Sequence, residues 1–388
     1  MKLKSYNEDL ERLLADRSFI SYVNYRRPAS AAKRYLRRDI SSAIDVYHAI
    51  NNGYRCSCQV AHLANFGFPK IADDFGEEDS NDMTGDEQFE LLFPINKLGL
   101  ADPFPSSNMG STTNVDDAIG SITRRVSISE YNKDSYDHEH KSIDDLCDLV
   151  NRFDASNAVT DTRLGILKMR GKQYELQSPL YIQGLKSVQS LDHLLVGQRF
   201  RLSRKERMDL ALRLSYAVLQ FYSTPWIEAS WTWGDFCIDK RDDPQLFVTR
   251  KFYSSHSRNS TPTACKSSDL KLSDIAEEPI LIKLGCALIE LALGSRLAEM
   301  RLEAESQKLD SDILDFATAK KLVSDGRISR EESCPYEEVV KACLSGQFSC
   351  NSQLKSIDSR QATFHRDVEQ SIIEPLHQIW STSWGSLS

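Results

Sequence analysis

The sequence predicts an α+β protein, with a small, irregular sheet in its first half and a larger, mainly helical second half. Two long runs between residues 203 and 293 are apolar on more than one face, the mark of buried helices. Between residues 56 and 185 the apolar runs are short, of strand length, and separated by polar loops. The chain has 388 residues, 40% of them hydrophobic and 27% charged. That is enough for a real core and about two domains.

Residues 5–50 read as two helices. Leu10, Leu13 and Leu14 mark the first, and Arg26 to Ser30 (RRPAS) breaks it. Leu36, Ile40, Ile44, Tyr47 and Ile50 form the second stripe, which Asn51-Asn52-Gly53 closes. Short strands are expected at Phe66–Pro69, Phe89–Pro94 and Ile122–Ile128. The acidic tract 73–87 and the Ser/Asn/Asp/Gly-rich segment 99–140 read as exposed loops around them. Ile143, Leu146, Val150 and Phe153 give a helical face. Leu164–Met169 and Tyr174–Leu176 read as strands joined at Arg170-Gly171-Lys172, and Leu191, Leu194 and Leu195 as a short helix.

The second half carries stronger local signals. Ser203-Arg204-Lys205-Glu206 is a capping box. The apolar run from Met208 to Phe221 follows it, and Pro225 stops the helix. An aromatic segment with Trp226, Trp231 and Trp233 comes next, then a polar loop over 255–271. Pro279 opens a buried helix that Gly294 closes. Leu314–Val323, Tyr336–Leu344 and Phe364–Ile379 complete the helical half.

A formal net charge of −8 disfavours an extended nucleic-acid groove. The basic patch of Arg26, Arg27, Lys33, Arg34, Arg37 and Arg38 reads first as a solvated or partner-facing helix surface, with nucleic acid or acidic lipid as alternatives. Nine widely spaced cysteines, an odd number, fit free thiols in a reducing compartment, hence a cytoplasmic or nuclear protein. The opening MKLKSYNEDLERLL has acidic residues where a secretory signal needs an apolar core. The longest apolar run, Ile280–Leu293, contains Lys283 and Glu290 and reads as a buried helix, so no transmembrane segment is expected.

Several segments together carry a family resemblance: CSCQVAH at 56–62, LSRKERMDLALRLSYAVLQFYSTPWI at 202–227, WTWGDFCI at 231–238, LIKLGCALIELALG at 281–294 and YEEVVKACLSGQF at 336–348. Their order resembles the large lobe of protein kinases. More closely, the chain resembles an uncharacterised fungal family of kinase-like architecture, often found C-terminal to helical prion-inhibition-type domains. The resemblance covers roughly residues 50–380 and implies a degenerate, two-lobed, protein-kinase-like fold. Its parts would be an N-terminal helical extension (1–55), a small sheet-containing lobe with long loops (56–185) and a helical large lobe (186–388). It implies no established activity. A role in fungal recognition or incompatibility would follow from the resemblance alone.

The chemistry of a kinase is not legible. Phosphoryl transfer needs a phosphate-covering glycine loop, a lysine paired to a helix glutamate, a catalytic aspartate with a downstream asparagine, and a metal-binding aspartate. No G-x-G-x-x-G occurs, and where a catalytic loop should sit the chain has Trp231-Thr232-Trp233-Gly234-Asp235-Phe236, with no His-Arg-Asp and no asparagine a few residues on. Lys168, in a strand-like segment, and Asp235, near where a catalytic loop would sit, are the candidates for nucleotide or metal contact. Each also has a bland reading, as a solvated strand lysine and a loop or cap carboxylate. Gly234-Asp235-Phe236 is only a permutation of the metal-binding tripeptide. The expected function is therefore a non-catalytic, pseudokinase-like interaction or signalling module with a protein partner and no cofactor. The alternatives are a highly divergent ATP-dependent kinase or transferase and a helical adaptor that binds no nucleotide.

Cys56, Cys58 and His62 are candidate metal ligands. A C-x-C pair on a strand puts both thiols on one face, but structural zinc takes four donors. The remaining donors, His48 nearby and Cys147 far along the chain, do not complete a site by spacing, so packed thiols and a structured turn are the competing reading. No G-x-S-x-G elbow supports a nucleophilic triad. Of the eight histidines, His138 and His140 fall in an expected loop. Glu290, inside an apolar helix, must find donors, and an arginine in the helical half is expected to pair with it.

Overall fold

The computed structural model describes residues 40–58, 61–67, 88–94, 123–131, 141–152, 163–169, 171–178, 188–195, 200, 202–239, 245–254, 271–301, 310–346 and 364–384. The first expected helix, the basic patch, the tract 73–87, His138, His140 and most of the loops expected at 99–140 and 255–271 lie outside the described residues. The described residues all belong to one compact unit, residues 39–388.

The second expected helix is α1 (Ile40–Gly53), which ends at the predicted Gly53. Five strands follow: β1 (His62–Gly67), β2 (Gln88–Pro94), β3 (Thr123–Glu130), β4 (Arg163–Met169) and β5 (Lys172–Gln177). Helix α2 (Leu146–Arg152) lies between β3 and β4 and begins after Ile143, the first residue of its apolar stripe; Phe153, the last, lies outside the described residues. Ile143 is drawn off the helix because its amide donates to Ile166 O on β4 at 3.0 Å.

The sheet does not end at residue 185. Strands β6 (Val188–Ser190), β7 (Phe236–Asp239) and β8 (Leu246–Phe252) extend it to eight, in the order β4-β5-β3-β2-β1-β8-β7-β6. Every paired neighbour is antiparallel. The expected small irregular sheet is thus a larger one that draws on both halves of the chain. α1, expected as part of a separate 1–55 extension, belongs to the same unit as the sheet.

The sheet curls strongly. Flat strands about 4.8 Å apart would hold β3 and β7 about 19 Å from each other. Yet Arg125 on β3 reaches Asp239 Oδ2 at the end of β7 at 3.2 Å. Inside the curl, Leu92, Cys237 and Phe247 bury one another and Val188 packs against them. The opposite face carries the main aromatic core. Trp226 packs on Phe66 at 4.4 Å between ring centroids, and Tyr47 of α1 meets its ring at 5.3 Å.

The helical half follows from local rules. A short helix α3 (Leu191–Leu194) leads to α4 (Arg204–Gln220). The predicted capping box starts α4: Ser203 Oγ accepts from the Glu206 amide at 3.3 Å, and Glu206 Oε2 accepts from the Ser203 amide at 2.7 Å. After the short α5 (Leu272–Ile275), the buried helix α6 (Pro279–Leu293) ends at Gly294, whose φ of 65° is the left-handed cap the sequence called for. Helices α7 (Leu297–Met300), α8 (Ser311–Ser324), α9 (Arg327–Glu331) and α10 (Cys334–Ser345) follow. A π-helical turn (Glu369–Ile373) then runs into α11 (Glu374–Trp384). Helix α6 is central, packed against α4, α8 and α10. No helix among the described residues is long and apolar enough to cross a membrane.

Gly285 sets the closest approach of α6 to α10. A Cβ there would stand 2.9 Å from both Cys343 Cβ and Leu344 Cδ2. Alanine normally favours a helix over glycine by about 1 kcal/mol. Here the overpacking should prevail, and Gly285→Ala is expected to destabilise the protein by about 1–3 kcal/mol in urea unfolding. A more stable variant would show that the two helices have room to separate.

Candidate functional site

Two places gather chemistry-bearing side chains. The first is a cleft of about 470 Å³ lined by α6, α7, α8 and the aromatic turn Trp231–Trp233. Acidic groups converge there with one lysine, but its charges are spent on one another. Lys283 Nζ lies 2.7 Å from Asp312 Oδ2, and Arg301 Nη2 lies 2.5 Å from Asp315 Oδ1. Arg296 spans Asp192 at 2.8 Å and Glu290 at 3.4 Å.

Glu290 is the best-held group in the cleft and only 7% exposed. The Trp233 indole donates to its Oε2 at 2.5 Å and the Leu297 amide to its Oε1 at 2.7 Å. The expected arginine partner is Arg296, joined by an indole and a backbone donor that spacing did not reveal. Burial pushes the Glu290 carboxyl above the usual range, and the Leu297 amide, Trp233 and Arg296 oppose it. Burial likewise raises Asp315, against Arg301. The half-buried Cys286 thiol is held well above its ordinary range, chiefly by loss of solvation, so it is no ready nucleophile.

The kinase candidates do not converge. Asp235 closes a 3₁₀ turn (Trp233–Asp235), where its Oδ2 accepts from the Thr232 amide at 2.7 Å and the Thr232 hydroxyl at 3.2 Å. Its other oxygen faces the guanidinium of Arg250, 3.5 Å away on β8. Lys168 is exposed on β4, the strand at one edge of the sheet. The strands β5, β3, β2, β1 and β8 stand between β4 and β7, the strand that follows Asp235.

The second place joins the end of α1, the start of β1 and the start of α2. Cys56 Sγ lies 3.0 Å from His62 Nε2, and Cys58 Sγ lies 3.8 Å from Cys147 Sγ. One donor atom from each of these four residues lies within 4.8 Å of all the others. Asp145 ties the two chain segments together, its Oδ1 accepting from the Arg55 amide at 3.2 Å and the Cys147 amide at 3.0 Å. The Tyr54 ring stacks on His62 at 4.4 Å with 7° between the planes. Asn151 Nδ2 donates to Cys147 Sγ at 3.4 Å, and the Ser254 hydroxyl donates to the Cys56 carbonyl.

Cys147 is the member that spacing hid, 89 residues from Cys58. One sequence signal does point to it: Cys56, Cys58 and Cys147 are the only cysteines before residue 185. His48 is not in the cluster, its ring lying edge-on to Tyr47 at 5.7 Å.

A family model described as a domain of unknown function (DUF7580) matches residues 38–382, from just before α1 to within the last turn of α11. No curated protein matches the chain. Cluster and cleft both lie inside the matched span, which covers most of the sequence, and the chain belongs to the DUF7580 family.

Proposed function

We propose that this chain is a non-catalytic, pseudokinase-like interaction or signalling module that binds a protein partner. The observation that carries the reading is the state of Asp235. Its carboxylate caps its own turn with one oxygen and faces a guanidinium with the other, so both oxygens already have partners. Phosphoryl transfer requires metals and cations arrayed around several negative charges. A lone capped carboxylate, with Lys168 exposed on the edge strand β4, does not supply them.

The element order supports the kinase-like part of the reading. Five strands with one helix between the third and fourth suit a small lobe, and the helices around the buried α6 suit a large one. The paired charges of the cleft suit a structural lock better than a phosphate site. A place in fungal recognition or incompatibility pathways rests on the family resemblance.

The test is a thermal-shift titration of the full chain with ATP and ADP, each with and without magnesium. A ligand that binds only the folded state must raise the melting temperature. No magnesium-dependent rise is expected at millimolar nucleotide. A rise with Mg-ATP that Asp235→Asn abolishes would overturn the reading in favour of a divergent transferase.

A further inference from the structure

Outside the cleft, the side chains whose grouping is hardest to explain by packing alone are those around Cys147. Hydrophobic packing has no need to bring three thiols and an imidazole nitrogen to one point from three separate elements. We propose that Cys56, Cys58, His62 and Cys147 together hold one structural zinc ion. The proposal goes beyond the interaction reading and does not depend on it.

The donor set selects the metal. Three sulfurs and an imidazole suit zinc and are foreign to magnesium and calcium, which take oxygen. Zinc–sulfur bonds of about 2.3 Å and a zinc–nitrogen bond of about 2.0 Å put sulfurs about 3.8 Å apart on a tetrahedron, and sulfur and nitrogen about 3.5 Å apart. The Cys58–Cys147 separation is 3.8 Å and the Cys56–His62 separation 3.0 Å, with every pair inside 4.8 Å. Closing the site asks only for side-chain shifts of about 1 Å or less. Four protein donors fill a tetrahedron, so no position stays open for substrate and the role is structural.

The surroundings fit a metal-binding group. Cys147 is 7% exposed and accepts the Asn151 amide, the kind of N–H···S bond that offsets thiolate charge. The stacked Tyr54 ring fixes the plane of His62, and Asp145 fixes the backbone on both sides of the cluster. Binding exchanges three thiol protons, released to solvent, for one Zn²⁺, with no change of oxidation state. The gain to the fold is local. α2 has seven residues, too few to be stable unaided, and the ion would clamp its first turn to α1 and β1.

Metal analysis of the purified full chain, prepared without a metal-affinity step, tests the assignment. About one zinc per chain is expected, falling roughly tenfold or more in Cys58→Ser and Cys147→Ser. Cys334→Ser, an exposed cysteine outside the cluster, should keep its zinc. Because the first two variants could fail to fold, the wild-type chain supplies a second readout. Cobalt exchange should give the visible absorption of tetrahedral thiolate coordination. Chelation should lower the melting temperature and make Cys56, Cys58 and Cys147 newly alkylatable, as read by peptide mass. A reduced chain that carries no zinc and takes up no cobalt would overturn the proposal. So would a Cys58–Cys147 disulfide in the purified protein, a different resident metal, or zinc retained by both variants.

Discussion

Trp226→Ala is expected to destabilise the protein by about 3–5 kcal/mol, the range for deleting a large buried aromatic. The indole is 0% exposed and joins three parts of the fold. Its ring packs on Phe66 of β1 at 4.4 Å, on Tyr47 of α1 at 5.3 Å and near Phe252 of β8 at 6.1 Å. Its Nε1 donates to the carbonyl of Ala43 in α1 at 2.8 Å. Alanine would leave a cavity between the sheet and α1 that neither can fill without moving. Trp226→Phe, which keeps much of the ring but loses the donor, should cost less. The urea midpoint at constant slope measures both changes, and a Trp226→Ala chain within about 1 kcal/mol of wild type would show that the site collapses freely.

A similar loss is expected at Glu290, for a different physical reason. Glu290→Ala removes the acceptor from the Trp233 indole and the Leu297 amide and leaves Arg296 with the exposed Asp192 as its carboxylate partner among the described residues. Breaking a buried pair by deleting one partner typically costs about 3–5 kcal/mol. Glu290→Gln keeps the shape but offers one oxygen, so one of the two short donors would face an NH₂ group; the expected loss is intermediate. The carboxyl's raised pKa adds a pH signature. A carboxyl raised on folding contributes most below its unfolded value, and that contribution is lost as pH climbs through the folded value. The stability difference between wild type and Glu290→Gln should therefore shift in favour of Gln as pH rises from the ordinary glutamate range toward neutrality. A difference that stays flat over that range would mean the three donors fully offset burial.

How much was legible varied with the range of the interaction. The ends of α4 and α6 could be read from single residues, Ser203 with Glu206 and Pro279 with Gly294. Most strands between 62 and 177 were found within a few residues of their limits. β8 was missed because LFVTRKF lacks the clean alternation of a half-buried strand. It is buried on both sides along most of its length, with Arg250 among its buried residues. For Asp235 the sequence offered a loop or cap carboxylate as one reading, but its commitment to the Thr232 amide and to Arg250 was not legible.

By itself, then, the sequence determined the α+β class, the helical second half, the caps that bound its principal helices and the need of Glu290 for an arginine. Those signals act within a turn or two of chain, through side chains that meet their own backbone or a repeat of 3.6 residues. Only the tertiary structure decided that β1 lies against β8, that the sheet curls until Arg125 meets Asp239, and that Cys147 stands beside Cys58. Sheet neighbours are joined by backbone hydrogen bonds, which carry no record of residue type. A metal-ligand set drawn from segments 89 residues apart leaves no spacing to read. Such juxtapositions exist only once the strands between them have taken their order.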